Sequence, residues 1–190
     1  GGGKVSIAPT SAFLGRMKIA WIGEGFKEKD GKIRYKAFSK NSSIFRVHDC
    51  AYLKPGGVDE EPYVVRITDL WETADGLMQL EGDWLWRKTD LTKVKGMKIG
   101  VRELLLSDWT DVNPLESVIE VVPVHFAASA PEDVTPLGVT VDKVHYAFYV
   151  TKFYYLKDNK NGAIKPLTEK QIQDARARPT TPLVVPSYAV

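Results

Sequence analysis

The sequence has almost no cysteine: Cys50 is the only one among 190 residues. A single thiol excludes an intrachain disulfide and any zinc site built from several thiolates. Such low cysteine usage suits a reducing compartment, the cytosol or the nucleus. A secretory signal is also missing from the start, where Gly1, Gly2 and Gly3 resemble a remnant of cloning.

The sequence has no excess of one charge and no long apolar run. Twenty-six basic and 24 acidic residues leave a net charge of +2, which gives no argument for nucleic-acid binding. One of the longest apolar runs, 119–126, is interrupted by Glu120 and Pro123 and is too short to cross a bilayer. We therefore expect neither a nucleic acid nor a membrane as the partner of this domain.

Aromatic residues are abundant, with five Trp, eight Tyr and seven Phe. Many lie in short alternating segments that are typical of strands. These segments are 17–22, 33–38, 44–53, 117–126 and 144–156. The segment 127–142, with two prolines and a glycine, is predicted to be a surface insertion, and 102–106 fits either a helical turn or a strand. The pattern predicts a mainly β fold, a barrel or curled sheet.

The clearest element is a hairpin over 63–86. Two alternating runs, 63–71 and 77–86, flank Asp75-Gly76, a strong hairpin signal because glycine tolerates positive φ. The sequence therefore predicts an antiparallel pair that turns near Asp75 and Gly76.

One helix is predicted near the end of the chain. Thr168 and Gln171 have the spacing of a capping box, Leu167 and Ile172 that of a hydrophobic staple, and Pro179 stops the helix. We expect an extension over 1–16, one domain over 17–178, and an extended tail or linker over 179–190.

Several segments, in the right order over 35–156, resemble the bromo-adjacent homology (BAH) domain. The matching segments are Pro62-Tyr63-Val64-Val65-Arg66-Ile67, Leu70-Trp71-Glu72, Trp84-Leu85-Trp86-Arg87 and Arg102-Glu103-Leu104-Leu105-Leu106-Ser107. Asp49-Cys50 is similar to the family's Gly-Asp-Cys, with His48 in place of the glycine. The resemblance implies a distorted barrel of short antiparallel strands.

The start of the chain resembles one subfamily more closely. Lys18-Ile19-Ala20-Trp21-Ile22-Gly23-Glu24, followed by Lys29-Asp30-Gly31-Lys32, is similar to the lead-in of the first BAH domain of maintenance-type DNA (cytosine-5) methyltransferases. The segment 84–91 is similar to the Trp-rich strand of that subfamily, with Lys88 in place of a glycine. The resemblance implies a nuclear chromatin module whose partners are a methylated histone tail or other domains of a larger protein.

Three aromatic residues of the hairpin are predicted to share one face. Trp84 and Trp86 are two residues apart in a strand, and a turn near Asp75 brings Tyr63 opposite Trp86 or one diagonal away. Three such rings can surround a quaternary ammonium, but they can equally fill a core. The same positions match the methyl-lysine cage of BAH domains that read histone tails.

The segment after Ser107 is predicted to be a loop that borders this cage. Asp111 matches an acidic position of reader relatives, Trp109 is a candidate fourth wall, and Asp108 lies between Ser107 and Trp109. A solvated surface loop is the alternative. Strand parity directs Asp83 away from Trp84 and Trp86, so it is not assigned to the cage.

No catalytic constellation is recognisable. Cys50 follows Asp49 in a strand and is interpreted as a buried structural thiol. His48, His125 and His145 lack the spacing of metal ligands, and no nucleophile elbow, P-loop or dinucleotide fingerprint occurs. We expect no enzyme activity, cofactor or metal in this domain; the two functions left open are a histone reader and a structural interaction module.

Overall fold

The fold is described from a computed structural model for residues 3–4, 11–14, 17–91, 97–157 and 162–176. Eighteen strands and one α-helix lie in these ranges. In chain order they are β1 (Gly3–Lys4), β2 (Ser11–Leu14), β3 (Met17–Ile22), β4 (Phe26–Lys27), β5 (Ile33–Arg34), β6 (Ala37–Lys40), β7 (Ser43–Arg46), β8 (Cys50–Leu53), β9 (Tyr63–Glu72), β10 (Met78–Trp86), β11 (Glu103–Pro114), β12 (Val118–Val121), β13 (Val124–Phe126), β14 (Asp133–Thr135), β15 (Gly138–Val141), β16 (Val144–Tyr146), β17 (Phe148–Tyr155), β18 (Ala163–Pro166) and α1 (Glu169–Arg176). The prediction of a mainly β chain with one late helix is confirmed.

The strands form three sheets, none of which closes into a barrel within the described ranges. The largest has the path β1-β4-β5-β9-β10-β11-β17-β13, with β8 beside β9, β12 beside β8 and β18 beside β17. A second sheet, β2-β3-β6-β7, contains the predicted lead-in, and a third contains β14, β15 and β16.

The predicted hairpin is present. Strands β9 and β10 are antiparallel, and the turn between them is closed by Thr73 N–H donating to Leu77 O at 2.9 Å. Gly76 has φ +90°, a left-handed conformation that glycine adopts without a steric penalty. The register shifts by one residue between Glu81 and Gly82, so a β-bulge adjusts the pairing towards the open end of the hairpin.

The ambiguous segment after Arg102 is a strand. Leu104, Leu105 and Leu106 are all buried in β11, which lies between β10, its antiparallel neighbour, and β17, its parallel neighbour. A strand covered on both faces shows a continuous apolar run and no alternation. The sequence was ambiguous here because this burial comes from distant parts of the chain.

The predicted insertion over 127–142 contains structure. It supplies β14 and β15, which pair with each other, and β15 pairs in turn with β16 around a turn where Asp142 and Lys143 both have positive φ. The single strand predicted over 144–156 is divided into β16 and β17 at Ala147. Pro123 separates β12 from β13, and β13 ends the path of the largest sheet, an edge position where a proline is tolerated because it has no N–H to donate.

Buried side chains form two core clusters on opposite faces of the β9–β10 hairpin. Neighbouring residues divide between them: Val65 and Leu80 belong to the first cluster, whereas Val64 and Leu85 belong to the second. The first cluster consists of Ile19, Trp21, Tyr35, Phe38, Phe45, Val47, Ala51, Leu53, Val65, Ile67, Leu70, Met78, Leu80, Leu115 and Val118. The second consists of Cys50, Val64, Leu85, Leu104, Leu106, Val122, Phe126, Phe148, Val150, Leu167 and Ala175.

Helix α1 begins with the predicted capping box. Gln171 N–H donates to Thr168 Oγ1 at 3.1 Å, and Thr168 N–H donates to Gln171 Oε1 at 2.8 Å. Leu167 and Ala175 are buried in the second core cluster, so the helix packs against the sheet. The predicted stop at Pro179 and the tail over 179–190 lie outside the described residues, and the limits of the domain remain predictions.

Candidate functional site

Tyr63, Trp84 and Trp86 lie together at the open end of the hairpin, all half-buried. The ring centroids of Tyr63 and Trp84 are 4.7 Å apart, and those of Trp84 and Trp86 are 6.0 Å apart. The planes are tilted by 47° and 48°, so the rings present faces at an angle to one another. The structure therefore brings together the three residues that the sequence placed on one face.

The register explains this arrangement. Trp84 pairs with Val65, and Leu85 pairs with Val64. The same register, continued by one residue, brings Trp86 opposite Tyr63. If the pairing near the turn continued without the bulge, Tyr63 would lie opposite residue 87 and not opposite Trp86. The bulge at Gly82 therefore sets the alignment of Tyr63 with Trp86. Glycine is required there because a Cβ atom would lie 2.9 Å from Cβ of Val65.

Two of the three rings also contribute to the core. Tyr63 and Trp84 pack against the first core cluster while remaining partly exposed. Their buried edges hold them in place, and their remaining surface is available to solvent. Tyr63 is held further by its hydroxyl group, which donates to Glu60 Oε2 at 3.3 Å.

Ser107 connects the two tryptophans. Its Oγ atom accepts a hydrogen bond from Trp86 Nε1 at 3.0 Å and donates to the carbonyl oxygen of Trp84 at 2.7 Å. Ser107 is only 1% exposed, so its hydroxyl group is shielded from water, while the two hydrogen bonds that it makes are part-buried. The sequence analysis did not assign Ser107 a role, although it ends a segment that resembles the BAH family.

The predicted loop after Ser107 is a bulge within a continuous strand. Asp83 pairs with Thr110 and Leu85 pairs with Leu106, so three residues of β11 face the single residue Trp84. The three residues are Ser107, Asp108 and Trp109. The bulge turns the Ser107 hydroxyl group towards the tryptophans and re-aims the side chains that follow.

The three predicted rim residues take different positions. Asp108 accepts hydrogen bonds from the backbone N–H groups of Leu156 at 2.8 Å and Lys157 at 3.3 Å, which fastens the end of β17. Trp109 is 52% exposed and makes no ring contact with the other aromatic residues of the described chain. Asp111 is exposed and lies opposite Gly82, on the face that carries Trp84.

A fourth ring comes from β17. Tyr154 meets Trp86 edge-on, with the centroids 6.1 Å apart and the planes at 83°. It lies in β17 opposite Ser107, since β11 and β17 pair in parallel. The aromatic content of the segment 144–156 indicated a strand, but no local pattern in the sequence links Tyr154 to the cluster.

Asp83 lies on the other face of β10, as strand parity predicts. Its Oδ2 atom is 3.9 Å from Arg66 Nη1. Burial raises the pKa of Asp83, and the positive charge of Arg66 opposes the rise. The Arg66 guanidinium group also contacts His48 Nδ1 at 2.6 Å and donates to Asp174 O at 2.6 Å, which links β9 to α1.

The candidate nucleophile and metal ligands are dispersed. Cys50 is buried in the second core cluster, in line with a structural thiol. His125 packs on Tyr146, with ring centroids 5.1 Å apart, while His48 lies at Arg66 and His145 is exposed in β16. Within the described ranges no three His, Cys, Asp or Glu side chains are placed to hold a metal ion, and α1 is too short to span a membrane.

Comparison with known proteins now decides the family. The sequence profile of the BAH domain matches residues 43–163, more than half of the chain. The chain belongs to the BAH domain family. BAH domains are non-catalytic protein-interaction modules of chromatin proteins, and the resemblance recognised from the sequence is thereby confirmed.

Three similar curated proteins are the DNA (cytosine-5)-methyltransferases 1 of mouse, chicken and rat. The BAH chain is 29% identical to the mouse protein over 73 residues, 29% identical to the chicken protein over 93 residues and 30% identical to the rat protein over 73 residues. These alignments cover 38%, 49% and 38% of this chain but only 4%, 6% and 4% of the relatives. The similarity therefore relates this BAH domain to one small part of much longer proteins.

Among solved structures, the crystal structure of the yeast Rsc2 BAH domain matches the fold. The TM-score is 0.52 at 17% identity, and the match covers 67% of this chain and 51% of the Rsc2 chain. At this identity the similarity supports the BAH fold alone.

Proposed function

We propose that this BAH domain reads a methylated lysine of a histone tail, held among Tyr63, Trp84 and Trp86. The observation that carries the proposal is the run of tilted rings, 4.7 and 6.0 Å apart. Tyr154 extends the run beyond Trp86. These ring faces converge at a partly exposed end of the sheet, where a peptide side chain can approach.

Aromatic faces favour the methylated form of lysine for a physical reason. An unmodified ammonium group is strongly hydrated, whereas a trimethylammonium group is larger, apolar at its surface and still charged. Each ring face contributes about 0.5–2 kcal/mol to a bound cation, depending on how far water is excluded. Several rings together therefore discriminate by methylation state.

Asp111 is the carboxylate best placed to support the cation. It is exposed and lies opposite Gly82, two residues before Trp84 on the same strand face. Asp108 is less suited because its carboxylate already accepts two backbone hydrogen bonds at the end of β17. We place Asp111 at the rim, and we expect the tail to lie along an edge of the sheet by backbone pairing.

The wider setting is also a proposal. The similarity to DNA (cytosine-5)-methyltransferases 1 and the lead-in strand β3 favour a regulatory domain of a larger nuclear chromatin enzyme. In that setting the BAH domain directs the enzyme to marked nucleosomes, and the chemistry belongs to another domain.

The second candidate is a structural interaction module that binds no methyl-lysine. It is favoured by the packing of Tyr63 and Trp84 against the first core cluster. In this alternative the rings stabilise the open end of the hairpin, and the domain contacts other parts of its parent protein.

Calorimetric titration with histone tail peptides distinguishes the two candidates. The peptides carry a lysine that is unmodified or mono-, di- or trimethylated. The reader function predicts that one methylated peptide binds best and that Trp86→Ala weakens this binding while the weak binding of the unmodified peptide is unchanged. Phe26→Ala is the matched control, since Phe26 is 39% exposed in β4 and lies outside the ring cluster. A chain that folds and binds no methylated peptide supports the interaction module.

A further inference from the structure

A second cleft lies behind the ring cluster, on the other face of the hairpin. It has a volume of about 360 Å³, and its lining includes Tyr52, Glu61, Arg87, Arg102 and Phe148. Arg87 follows Trp86 with an extended backbone, φ −84° and ψ 158°, so its side chain points away from the side of Trp86. The cleft and the ring cluster therefore lie at the same end of β10 but on opposite faces of the sheet.

Two arginines flank one aromatic ring in this cleft. The guanidinium carbon of Arg102 is 4.1 Å from the ring centroid of Phe148, and that of Arg87 is 6.0 Å from the same centroid. Phe148 is only 6% exposed, so it is a fixed surface on which both guanidinium groups rest. Stacking on a ring leaves the N–H groups in the guanidinium plane free to bind an anion.

The local backbone holds Arg102 in an unusual conformation. Its φ of +63° is left-handed, a strained choice for a long side chain. The strain is fixed by neighbours: Glu103 N–H donates to Gly100 O at 3.2 Å, and Tyr149 N–H donates to Arg102 O at 3.0 Å. Arg102 Nε donates to Ala147 O at 2.8 Å, which sets the plane of the guanidinium group.

The cleft contains hydrogen-bond donors that have no acceptor among the described residues. They are the two Nη atoms of Arg102 and the hydroxyl group of Tyr52. Burial raises the pKa of the Tyr52 hydroxyl group, and the positive charges of Arg102 and Arg87 lower it, so both guanidinium groups act on this hydroxyl. A phosphate group has the three oxygens that two guanidinium forks and a phenol can bind together.

One of the two arginines, Arg87, already has a carboxylate partner within the chain, Glu61. Glu61 Oε2 is 3.1 Å from Arg87 Nε, and the Glu61 side chain is 76% exposed. Because the Glu61 carboxylate lies largely in water, this ion pair contributes little and is readily displaced. Glu103 does not neutralise the arginines, because its carboxylate is held by Lys152, Thr151 Oγ1 at 2.7 Å and Gly100 N at 2.7 Å.

We propose that this cleft binds a phosphorylated serine or threonine side chain of a protein partner, between Arg87, Arg102 and Tyr52. The proposal does not depend on methyl-lysine binding by the ring cluster. The ring of Tyr52 provides an apolar wall for the stem of such a side chain. Acidic residues in the two adjoining loops repel an extended polyanion such as DNA. They are Asp59, Glu60, Glu61 and Asp90.

The test is an NMR titration of this chain with N-acetyl-O-phosphoserine amide, inorganic phosphate and a short DNA duplex. We expect saturable shifts of the Gly100 and Arg102 amide signals, with the phosphoserine derivative binding more tightly than inorganic phosphate. Arg102→Met should weaken binding about tenfold or more, because two charge-assisted hydrogen bonds are lost. Arg34→Met is the matched control, since Arg34 is an exposed ion-paired arginine in β5.

Glu61→Gln keeps the test decisive even if Arg102→Met fails to fold. Removing the internal carboxylate should strengthen phosphoserine binding roughly two- to fivefold. No binding to the parent chain or to Glu61→Gln would overturn the proposal. So would equal losses in Arg102→Met and Arg34→Met, equal affinity for inorganic phosphate, or tighter binding of the duplex with a steep salt dependence.

Discussion

The indole Nε1 of Trp86 donates a 3.0 Å hydrogen bond to Oγ of Ser107, a residue 21 positions further along the chain. The same oxygen donates to the carbonyl group of Trp84. One buried hydroxyl group therefore sets both the angle of one ring and the backbone that carries another. The orientation of the ring cluster depends on this bond as much as on the rings themselves.

Ser107→Ala should lower the free energy of unfolding by about 1–3 kcal/mol, because the mutation leaves a part-buried indole N–H and a part-buried carbonyl group without their partner. It should also weaken binding of the preferred methylated peptide. Chemical unfolding measures the first effect and calorimetry the second. Ser117→Ala is the control: this hydroxyl group donates to Pro114 O at 2.7 Å near the surface, so its loss should cost about 1 kcal/mol or less.

Trp84→Ala and Trp86→Ala should each weaken binding of the preferred methylated peptide by roughly 1–2 kcal/mol, five- to thirtyfold, because each removes one ring face from the cation. Tyr63→Ala should act in the same direction. Calorimetric titrations of the variants measure the loss.

Stability is the control for the ring variants. Tyr63 and Trp84 also pack on the first core cluster, and a buried aromatic side chain lost from a core costs about 3–5 kcal/mol. Each variant must retain a cooperative unfolding transition for its affinity to be interpreted. Variants that unfold, together with a parent chain that binds no methylated peptide, would assign the rings to the core alone.

Asp111→Asn should weaken methylated-peptide binding less than the ring variants do, since a carboxylate at an exposed rim is screened by water and salt. The loss should shrink further as the salt concentration rises. Asp108→Asn should instead lower the free energy of unfolding, because its carboxylate anchors Leu156 and Lys157. A larger effect of Asp108→Asn than of Asp111→Asn on affinity, at unchanged stability, would contradict this assignment of the two acids.

Thr168→Ala should lower the free energy of unfolding by about 1 kcal/mol through loss of the helix cap. The effect reaches the whole domain because Leu167 and Ala175 bury the helix against the second core cluster. The midpoint of urea unfolding measures it. An unchanged midpoint would show that α1 unfolds separately from the sheet.

Acid should destabilise the domain through His48. Burial lowers its pKa from 6.5, and the positive charges of Arg66 and Lys36 lower it further. The unfolded state therefore takes up a proton first as the pH falls below about 6.5, and stability is lost until the folded-state pKa is passed. The free energy of unfolding, measured between pH 7.5 and 5, should decrease with decreasing pH.

His48→Gly should make that pH dependence shallower. Glycine accepts the φ of +80° at this position without strain, so the backbone is preserved while the imidazole is removed. Part of the slope should remain, because burial and Arg176 also lower the pKa of His125. An unchanged slope in His48→Gly would rule out His48 as the acid-sensitive group.

Features that depend on short stretches of sequence were predictable. Asp75-Gly76 with alternating flanks predicted the hairpin, and Thr168 with Gln171 predicted the start of α1 to the residue. Period-two alternation also placed Trp84 and Trp86 on one face of β10, although their alignment with Tyr63 needs the bulge at Gly82. In each case the determining residues lie within one element or one turn.

Features that depend on pairing between distant strands were not predictable from local patterns. The bulge at Gly82 exists only in the pairing of β9 with β10, and the bulge after Ser107 only in the pairing of β10 with β11. Tyr154 joins the ring cluster only because β17 lies parallel to β11, 47 residues after Ser107. The sheet of β14, β15 and β16 was missed because its strands are only three or four residues long.

The parallel pairing of β11 with β17 has a consequence for synthesis on the ribosome. The meander β9–β10–β11 can form as soon as it leaves the exit tunnel, but the outer edge of β11 stays unpaired until β17 has been translated. During that interval the nascent chain exposes Leu104, Leu105 and Leu106 at a free strand edge, a template for intermolecular association. Fragments that stop before residue 155 should therefore aggregate, and useful truncations of this domain retain β17.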